Sequence, residues 1–459
     1  MNLSHSLAQF VANTSYEDIP SDVIDIQKKS VMDAIAITLG ASTLGDGCKQ
    51  MIKIAQELAA EGRGEAAVIG FDKRLPAVWA AFANAAMAHS LDFGDTHQRS
   101  TIHSNSSSFP AALAMAEKMG TVSGKKLLEA LVLGSEVAIR IALAADVNTL
   151  DHGFYIPTIY SSYGATAAVA KLMGLSAEQI VSAFSFNLCQ TTCSSELTNS
   201  PKTVLRSVRE AFAARNAIVA CCMAKENLIG FEAPLEGKLG FYHAFLHGNY
   251  TAERALDGLG VHFEAGDLTF KAWPCCFGTH SAITAASIIA KEEGITADDV
   301  RHIQVYVGAQ NRMLFEPLDE RRNPETSIIG KFSIPFTLAT MLIRGNVDLT
   351  SFSYENLRDE KIRALAAKID YTYMDEWQRG KETYTRVVMD TTKGTFDRLV
   401  KSPFGTPDNP MNEDTFNLKF DACASNAINP KSQEALEALK AAIRSLDSLE
   451  NISELTELL

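Results

Sequence analysis

The sequence lacks several features that would place it in other classes of protein. It has no excess of positive charge, since its 459 residues carry a formal net charge of −13, and this argues against a nucleic-acid partner. It shows no charged segment followed by an apolar run near its start, so no secretory signal is visible. Its longest apolar helical stretch, residues 127–145, carries Glu136 and Arg140 in its middle, which argues against a membrane span. We therefore expect a cytoplasmic protein.

Common catalytic and metal-binding motifs are also missing. The eight cysteines form no CxxC pair, and we expect them to be reduced and buried. His243 and His247 stand four residues apart, but Ala244 takes the place of the glutamate of an HExxH zinc motif, so we expect a structural pair. No Gly-rich phosphate loop and no GxSxG motif appears. These absences argue against zinc-peptidase, nucleotide-binding and serine-hydrolase chemistry.

Side chains capable of chemistry are concentrated in one polar stretch, MAHSLDFGDTHQRSTIHSNSSSFP, at residues 87–110. Its flanks, LPAVWAAFANAAMA and FPAALAMAEKMG, are Ala-rich and predict buried helices. Gly94 and the Ser/Asn cluster disfavour continued helix, so we expect a loop held between two core helices. Loops on a rigid scaffold are where sites are usually built. The ionisable side chains of this stretch are His89, Asp92, Asp95, His97, Arg99 and His103.

The rest of the chain predicts a mainly α protein with a smaller α+β part. Apolar residues recur at helical spacing from Ser21 to about Cys222, and many Ala and Gly residues predict closely packed helices. Alternation in residues 301–308 predicts a strand, and Lys393-Gly394 between two β-rich runs predicts a hairpin. The tail returns to helical periodicity and is expected to pack on the helical body. We expect a large all-α helical domain of residues 1–266 and 399–459, and an inserted α+β lid domain of residues 267–398.

The motif HSLDFGDTH at residues 89–97 resembles the H-(A/S)-x-D-F-D-D-T signature of the MmgE/PrpD family. That family includes 2-methylcitrate dehydratases, cis-aconitate decarboxylases and iminodisuccinate epimerases. Further matches follow in the family's order and span nearly the whole chain. They are YGATAAVAKLMGL at 163–175, Ala-Ala-Arg-Asn at 213–216, KAWPCCFGTH at 271–280, NPETSIIGKFSIPF at 323–336 and DNPM at 408–411.

The resemblance implies a fold and a mode of action. It implies a helical domain made of both chain ends, an inserted lid, a homodimer, and a site between the domains with no metal or organic cofactor. Family reactions remove or deliver a proton at a carbon next to a carboxylate. Such chemistry needs a base of near-neutral pKa and groups that stabilise the developing negative charge.

The resemblance assigns roles to residues of the polar stretch. Asp92 matches the family's catalytic aspartate, His103 stands where the family has its histidine, and Thr96 matches a substrate-binding hydroxyl. We expect Asp92 and His103 to act as base and acid. The alternative for Asp92 is a helix-end cap or an ion pair with Arg99. The alternative for His103 is a loop histidine bonded to backbone.

Two residues of the KAWPCCFGTH motif are further candidates. Lys271 aligns with a family lysine that reaches the substrate, and we expect it to be catalytic; the alternative is an ordinary surface lysine. His280 is expected to contact the substrate, with a helix-start histidine that positions the loop as the alternative.

The chain departs from the family pattern at four positions. Gly94 replaces one of the paired aspartates, and Ile156 stands where the family commonly has a histidine before Pro-Thr. Arg206 and Arg209 fall where many members have lysine and histidine. Arginine binds carboxylates well but is a poor proton carrier, so we expect a carboxylate pocket that contains Arg206, Arg209, Lys271 and Arg99. Salt bridges on a helix surface are the alternative for Arg206 and Arg209.

Three functional hypotheses follow from these residues. The leading one is a cofactor-independent lyase or isomerase that acts on a small anionic polycarboxylate. A 2-methylcitrate dehydratase-like reaction comes first, with epimerisation or decarboxylation of a related acid as the alternative. The second is a carboxylate-binding member that has lost catalysis, as Ile156 and Arg206 suggest. The third is a metal-dependent hydrolase with a loop cluster of Asp92, Asp95, His97 and His103.

Overall fold

The computed structural model describes residues 2–59, 64–146, 153–200, 202–377, 381 and 383–459. The chain divides into two compact units. The larger unit comprises Met1–Leu268 and Phe416–Leu459, and the smaller unit comprises Thr269–Thr415. The larger unit therefore contains both ends of the chain.

Helices dominate the described residues, with 58% helix and 9% strand, which confirms the prediction of a mainly α chain. The α-helices are α1 (Leu3–Asn13), α2 (Ser21–Leu44), α3 (Cys48–Leu58), α4 (Ala77–Ser90), α5 (Asn105–Met119), α6 (Gly124–Leu143), α7 (Ile156–Leu172), α8 (Ala177–Gln190), α9 (Leu205–Val208), α10 (Glu210–Lys225), α11 (Phe241–Leu246), α12 (Ala252–Leu256), α13 (Phe277–Glu292), α14 (Leu318–Arg322), α15 (Ser327–Lys331), α16 (Ile334–Arg344), α17 (Glu360–Ala366), α18 (Glu413–Ala424), α19 (Gln433–Arg444) and α20 (Ser453–Thr456). The strands are β1 (Ala66–Ala67), β2 (Arg74–Leu75), β3 (Thr96–His97), β4 (Leu268–Thr269), β5 (Val300–Val307), β6 (Ile369–Tyr373), β7 (Thr385–Thr391) and β8 (Gly394–Val400).

Small residues let the helices of the larger unit approach closely, as predicted. A Cβ atom added to Gly134 of α6 would lie 2.7 Å from the carbonyl oxygen of Gly164 on α7, and the reverse distance is also 2.7 Å. Any side chain at either position would collide with backbone, so only glycine fits this crossing. Helices α4 and α5 are likewise Ala-rich and almost wholly buried.

The charged pair in α6 lies inside the protein. Arg140 Nε lies 2.6 Å from Glu136 Oε1, and both side chains are almost fully buried. Arg140 also donates to the carbonyl oxygens of Ala255, Asp257 and His262 at 3.1, 2.7 and 2.7 Å. These bonds satisfy the buried guanidinium and fasten residues 255–262 to α6. Among the described helices, none is both long and apolar enough to cross a membrane.

The smaller unit is built on a four-stranded sheet with the order β6-β5-β7-β8. Strand β5 pairs in parallel with β6 and antiparallel with β7, while β7 and β8 form the hairpin predicted at Lys393-Gly394. Strand β5 alternates as predicted, with Ile303, Val305 and Val307 buried. These side chains share one hydrophobic core with α13 and α16.

Two predicted boundaries differ from the structure. Residues 399–415, which the sequence assigned to the helical domain, belong to the smaller unit. There Phe270 N donates to Gly405 O (3.0 Å) and Phe404 N donates to Thr284 Oγ1 (3.3 Å). The predicted loop is also shorter, because Asn105–Ser108 already form the first turn of α5. Asn and Ser suit a helix start, and burial of the Ala-rich remainder outweighs their low helix propensity.

The cysteines are all free thiols, as predicted, but they are not all buried. Cys189 and Cys222 are exposed, whereas four of the others are buried. Burial raises the pKa of the Cys193 thiol to about 11, so this thiol stays protonated at neutral pH.

Candidate active site

A tight turn after α4 positions Asp92. The turn follows the last residue of the helix, and Asp92 N donates to His89 O at 2.9 Å. Asp92 has a φ of 54°, a left-handed conformation that aspartate tolerates better than most residues. Its side chain is buried. The turn therefore places a carboxylate beside the final turn of a buried helix.

His103, at the other end of the loop, faces the same place. Its Nδ1 lies 2.8 Å from the carbonyl oxygen of Asp95. A carbonyl only accepts hydrogen bonds, so Nδ1 carries the proton and the lone pair of the neutral ring is on Nε2. The His89 and His103 rings lie 4.7 Å apart between centroids. His89, Asp92 and His103 each offer a polar atom within 4.8 Å of the others. Because they are candidates for catalysis, we refer to these three residues as the catalytic cluster.

His89 is in turn bonded to Arg209, one of the predicted carboxylate-binding residues. Arg209 Nη2 lies 2.7 Å from His89 Nε2. A guanidinium only donates, so Nε2 of His89 accepts and the ring is neutral with its proton on Nδ1. That Nδ1 lies 3.5 Å from Ser106 Oγ. Arg209 thus fixes the tautomer of one histidine of the catalytic cluster.

The Arg209 guanidinium makes several hydrogen bonds and one ion pair within the protein. Its Nε donates to Thr158 Oγ1 (2.9 Å) and lies 3.3 Å from Glu210 Oε1, and its Nη1 donates to the carbonyl of Arg206. Burial opposes its charge, yet Tyr155, Glu210 and other nearby groups hold the pKa of Arg209 above its ordinary value. Burial raises the pKa of Glu210 despite Arg209. Arg209 therefore does form a salt bridge, as the alternative supposed, but the pair is buried and does not lie on a helix surface.

Arg206 lies next to Arg209 around one tyrosine. The guanidinium carbons of Arg206 and Arg209 lie 5.5 and 4.8 Å from the centre of the Tyr155 ring. Tyr155 directly precedes α7, whose first residue is Ile156, and Ile156 is fully buried. The arginines and the position of the expected histidine therefore converge on the start of α7.

Asp95 has a structural place beneath the loop. It is buried, it accepts from Ser30 Oγ, and it accepts from Asn105 Nδ2 at 3.1 Å. Burial raises the pKa of Asp95, while these hydrogen bonds oppose the shift. The carboxyl group thus joins α2, the loop and the start of α5.

Arg99 pairs with acidic residues outside the loop, and not with Asp92 in any described ion pair. Arg99 Nη2 contacts Glu264 Oε2 and lies 3.7 Å from Asp267 Oδ2, and its side chain is 54% exposed. His97 Nε2 lies 3.5 Å from the same Glu264 oxygen. Thr96, whose hydroxyl is predicted to bind the substrate, is buried. The loop therefore directs Asp92 and His103 to one place and His97 and Arg99 to another.

Comparison with known proteins identifies the family. The model of the MmgE/PrpD N-terminal domain matches residues 5–253, and that of the MmgE/PrpD C-terminal domain matches residues 273–445. The chain belongs to the MmgE/PrpD family. The resemblance stated from the sequence is thereby confirmed.

Named members of this family resemble the chain along most of its length. Cis-aconitate decarboxylase of Aspergillus terreus is 26% identical over 89% of this chain and 86% of its own. The Homo sapiens cis-aconitate decarboxylase is 25% identical over 95% and 90%. The 2-methylcitrate dehydratase of Escherichia coli is 25% identical over 66% and 64%. The prediction of an enzyme of the lyase or isomerase class is supported, with the exact reaction open.

The remaining predicted site residues of this MmgE/PrpD protein lie in the smaller unit. Lys271 is buried, with 1% of its surface exposed, so it is not an ordinary surface lysine. His280 is also buried, near the start of α13, and its ring lies 5.1 Å from that of Trp273 and 5.4 Å from that of Phe277. Their roles stay predictions.

The hypothesis of one metal cluster from four loop residues does not match the described geometry. Asp95 bonds to Ser30 and Asn105, and His97 groups with Glu264 and Asp267. The groups close enough to hold a cation are instead the catalytic cluster and the set of His97, Glu264 and Asp267.

Sequence reasoning missed the contacts that His89, Thr158 and Glu210 make beside the predicted site residues of this MmgE/PrpD protein. His89 begins the HSLDFGDTH motif, so the motif itself could have drawn attention to it. Thr158 follows the departure at Ile156, and Glu210 follows Arg209. Their contact with one another, Thr158 Oγ1 to Glu210 Oε1 at 3.0 Å, spans 52 residues and has no local sequence signal.

Proposed function

We propose that this protein is an enzyme that moves a proton at the carbon next to a carboxylate of a small di- or tricarboxylate, without a metal or organic cofactor. The observation that carries the proposal is the catalytic cluster. In it, His103 presents Nε2 as a lone pair, and the Asp92 carboxylate stands close enough to favour the imidazolium that forms on proton uptake.

The roles proposed for the other residues follow from their charge and position. Arg206 binds a substrate carboxylate, and the Thr96 hydroxyl donates a hydrogen bond to the substrate. Arg209 acts indirectly, because it holds the His89 ring of the catalytic cluster. Arg99, Lys271 and His280 were predicted from the resemblance, with Lys271 as a catalytic cation and the other two as substrate contacts, and we retain them as proposals. A cation beside the reacting carboxylate stabilises the enolate-like charge.

Dehydration of a 2-methylcitrate-like hydroxy acid is the first reaction to test. In that reaction His103 Nε2 takes the proton from the carbon next to the carboxylate and the carbon–carbon double bond forms as the carbon–oxygen bond breaks. The leaving hydroxide then takes that proton from the His103 imidazolium and departs as water, which restores the neutral ring. Decarboxylation of a cis-aconitate-like acid is the second candidate. It is favoured by the cis-aconitate decarboxylases, which match about nine-tenths of this chain, against 66% for the dehydratase. Epimerisation of an iminodisuccinate-like acid remains a third.

One experiment separates these reactions from loss of catalysis. The purified protein is incubated in deuterium oxide with a panel of di- and tricarboxylates and followed by NMR. We expect deuterium at the carbon next to a carboxylate together with loss of water, loss of carbon dioxide or inversion. A shift in melting temperature with an acid that never exchanges would contradict catalysis and leave a carboxylate-binding protein.

The metal-dependent hydrolase hypothesis has its own measurement. Elemental analysis that found one tightly held metal per chain, together with activity lost to chelators, would favour the hydrolase. We also propose that the enzyme works as a homodimer in the cytoplasm, as the resemblance implies. Light scattering of the purified protein tests the dimer, because a monomeric mass would contradict it.

A further inference from the structure

A second group of metal-binding side chains lies apart from the catalytic cluster, and we call it the His97 cluster. It consists of His97, His262, Glu264 and Asp267. His97 Nε2 lies 3.5 Å from Glu264 Oε2, and His262 Nε2 lies 3.9 Å from Glu264 Oε1 and 3.8 Å from Asp267 Oδ2. Ligand atoms bound to one tetrahedral zinc ion lie about 3.3–3.6 Å apart, given bonds of about 2.0–2.2 Å. The contact between His97 Nε2 and Glu264 Oε2 falls in this range. The ligand atoms of His97, Glu264 and Asp267 all lie within 4.8 Å of one another, and His262 stands beside the two carboxylates.

The buried ligand of the cluster is already oriented. His97 Nδ1 lies 2.8 Å from Ser100 Oγ, which holds the ring with Nε2 toward Glu264. The backbone of the same residue is fixed in a short turn, because His97 N donates to Ile102 O (2.9 Å) and Thr101 N donates to His97 O (2.8 Å). A hydrogen bond at the far ring nitrogen is the usual support of a metal-binding histidine.

The other three ligands lie on a segment that the buried ion pair of α6 holds in place. Arg140 Nη2 donates to His262 O (2.7 Å), and Ala265 N donates to Glu136 Oε2 (2.9 Å). Residues 262–265 are thus fixed at two points. A site whose backbone is held in advance loses less entropy when it binds an ion.

A cation already occupies this place. Arg99 Nη2 contacts Glu264 Oε2 and lies 3.7 Å from Asp267 Oδ2, so one guanidinium nitrogen lies between two of the carboxylate ligands. The Arg99 side chain is 54% exposed, and it can leave through solvent without breaking the core. His262 and Asp267 are also about half exposed, which gives an ion a route in.

We propose that the His97 cluster is a site for a divalent transition metal, with zinc as the best match. His97, Glu264 and Asp267 are the three ligands whose atoms already group together, and the neighbouring His262 supplies the fourth. The bound ion replaces the Arg99 guanidinium. It joins the loop that carries Asp92 and His103 to residues 262–267, and so stabilises the folded larger unit. The site is separate from the catalytic cluster, and the proposal does not depend on the proposed function.

The test is a zinc titration of protein freed of metal by a chelator. Calorimetry should show one tight site per chain, cobalt should give the visible spectrum of a tetrahedral ion, and zinc should raise the melting temperature. The exposed His262→Ala change should weaken zinc binding by more than the roughly 10–100-fold that loss of a hydrogen bond behind a ligand costs. Glu264→Gln should do the same, and Arg99→Ala should tighten binding because the competing cation is gone.

Two control variants separate this site from other histidine groups. The double change His243→Ala/His247→Ala removes the two histidines that stand four residues apart in the sequence, and Asp92→Asn disables the catalytic cluster as a ligand set. Both should bind zinc as the unchanged protein does. The proposal is overturned if zinc affinity survives His262→Ala and Glu264→Gln, if either control variant loses it, or if Arg99→Ala weakens it.

Discussion

Asp92 and His103 are the two side chains on which proton transfer depends in our proposal. Asp92→Asn keeps the size of the side chain but removes its charge, and His103→Ala removes the lone pair on Nε2. We expect each change to lower kcat by about 10²–10⁴-fold, the usual contribution of an acid or base. Melting temperature should stay near that of the unchanged protein. A variant that folds and keeps most of its activity would show that the residue has no such role.

We expect Arg209 to affect the catalytic rate by holding His89, and not by contacting the substrate itself. Arg209→Lys keeps the positive charge, but one ammonium cannot reach Thr158, the carbonyl of Arg206 and His89 Nε2 together. We expect kcat to fall about 100-fold, since small displacements of catalytic groups cost that much. Arg206→Ala serves as the comparison and should chiefly raise KM. If Arg209→Lys raises only KM and leaves kcat unchanged, Arg209 binds substrate directly.

These residues also show what the sequence could predict of the site. Asp92 lies in the HSLDFGDTH motif and His103 follows that motif closely, so the resemblance could name both, and their side chains group together in the structure. The bond between Arg209 and His89 joins residues 120 positions apart. This contact depends on how α4 packs against α10. An arginine at position 209 predicts a carboxylate-binding residue from the sequence, but it does not predict the contact with His89.

At the scale of elements, Asp299 ties the β7–β8 hairpin to the entry of β5. Its carboxylate accepts from Thr296 N (2.9 Å), Thr296 Oγ1 (2.8 Å) and Thr392 Oγ1 (2.9 Å), and it lies 3.0 Å from Lys393 Nζ. The Thr296 amide, with the Lys393 ammonium, holds the pKa of Asp299 well below its ordinary value of 3.8. The ionised carboxylate is therefore favoured in the folded state.

The lowered pKa of Asp299 gives a signed pH dependence. The stability that Asp299 contributes is fully present above its unfolded pKa of 3.8 and is lost as the pH falls through the lower folded value. Asp299→Asn should thus lower the melting temperature at neutral pH, and the difference should shrink in acid. Asp298→Asn, at the exposed neighbouring position, is the matched control and should change little. A difference that is constant with pH would contradict the carboxylate's part.

Regular elements were largely predictable, and their ends were not. The hairpin at Lys393-Gly394 and strand β5 follow from alternation and turn residues. The start of α5 at Asn105 was missed because Asn and Ser disfavour helix interiors and favour helix starts. Local propensity alone does not distinguish a loop from a first turn.

At the scale of the whole molecule, the two chain ends meet in the larger unit. Gly124 N donates to Leu449 O (3.0 Å), and Ile452 N donates to Val122 O (2.9 Å), so the tail is fastened to the start of α6. The resemblance predicted this union. Residues 399–415 were misplaced because their turn-rich sequence predicts no element, and their backbone bonds to Phe270 and Thr284 appear only in the folded chain.

Arg140 should be among the residues on which the stability of the larger unit most depends. Arg140→Met leaves Glu136 as a buried charge with its cationic partner gone, and it frees three carbonyls of residues 255–262. Breaking a buried ion pair from one side costs about 3–5 kcal/mol. We expect a loss of that size in the free energy of unfolding, measured by urea denaturation.

Lys125→Met on the same helix is the matched control for Arg140→Met. Lys125 is exposed, and an exposed substitution usually changes stability by less than about 0.5 kcal/mol. Because Arg140 also holds His262, the Arg140→Met variant should lose zinc affinity as well as stability, whereas Lys125→Met should keep both. If Arg140→Met were as stable as Lys125→Met, the ion pair would not hold residues 255–265, and the pre-arranged backbone argued for the His97 cluster would fail with it.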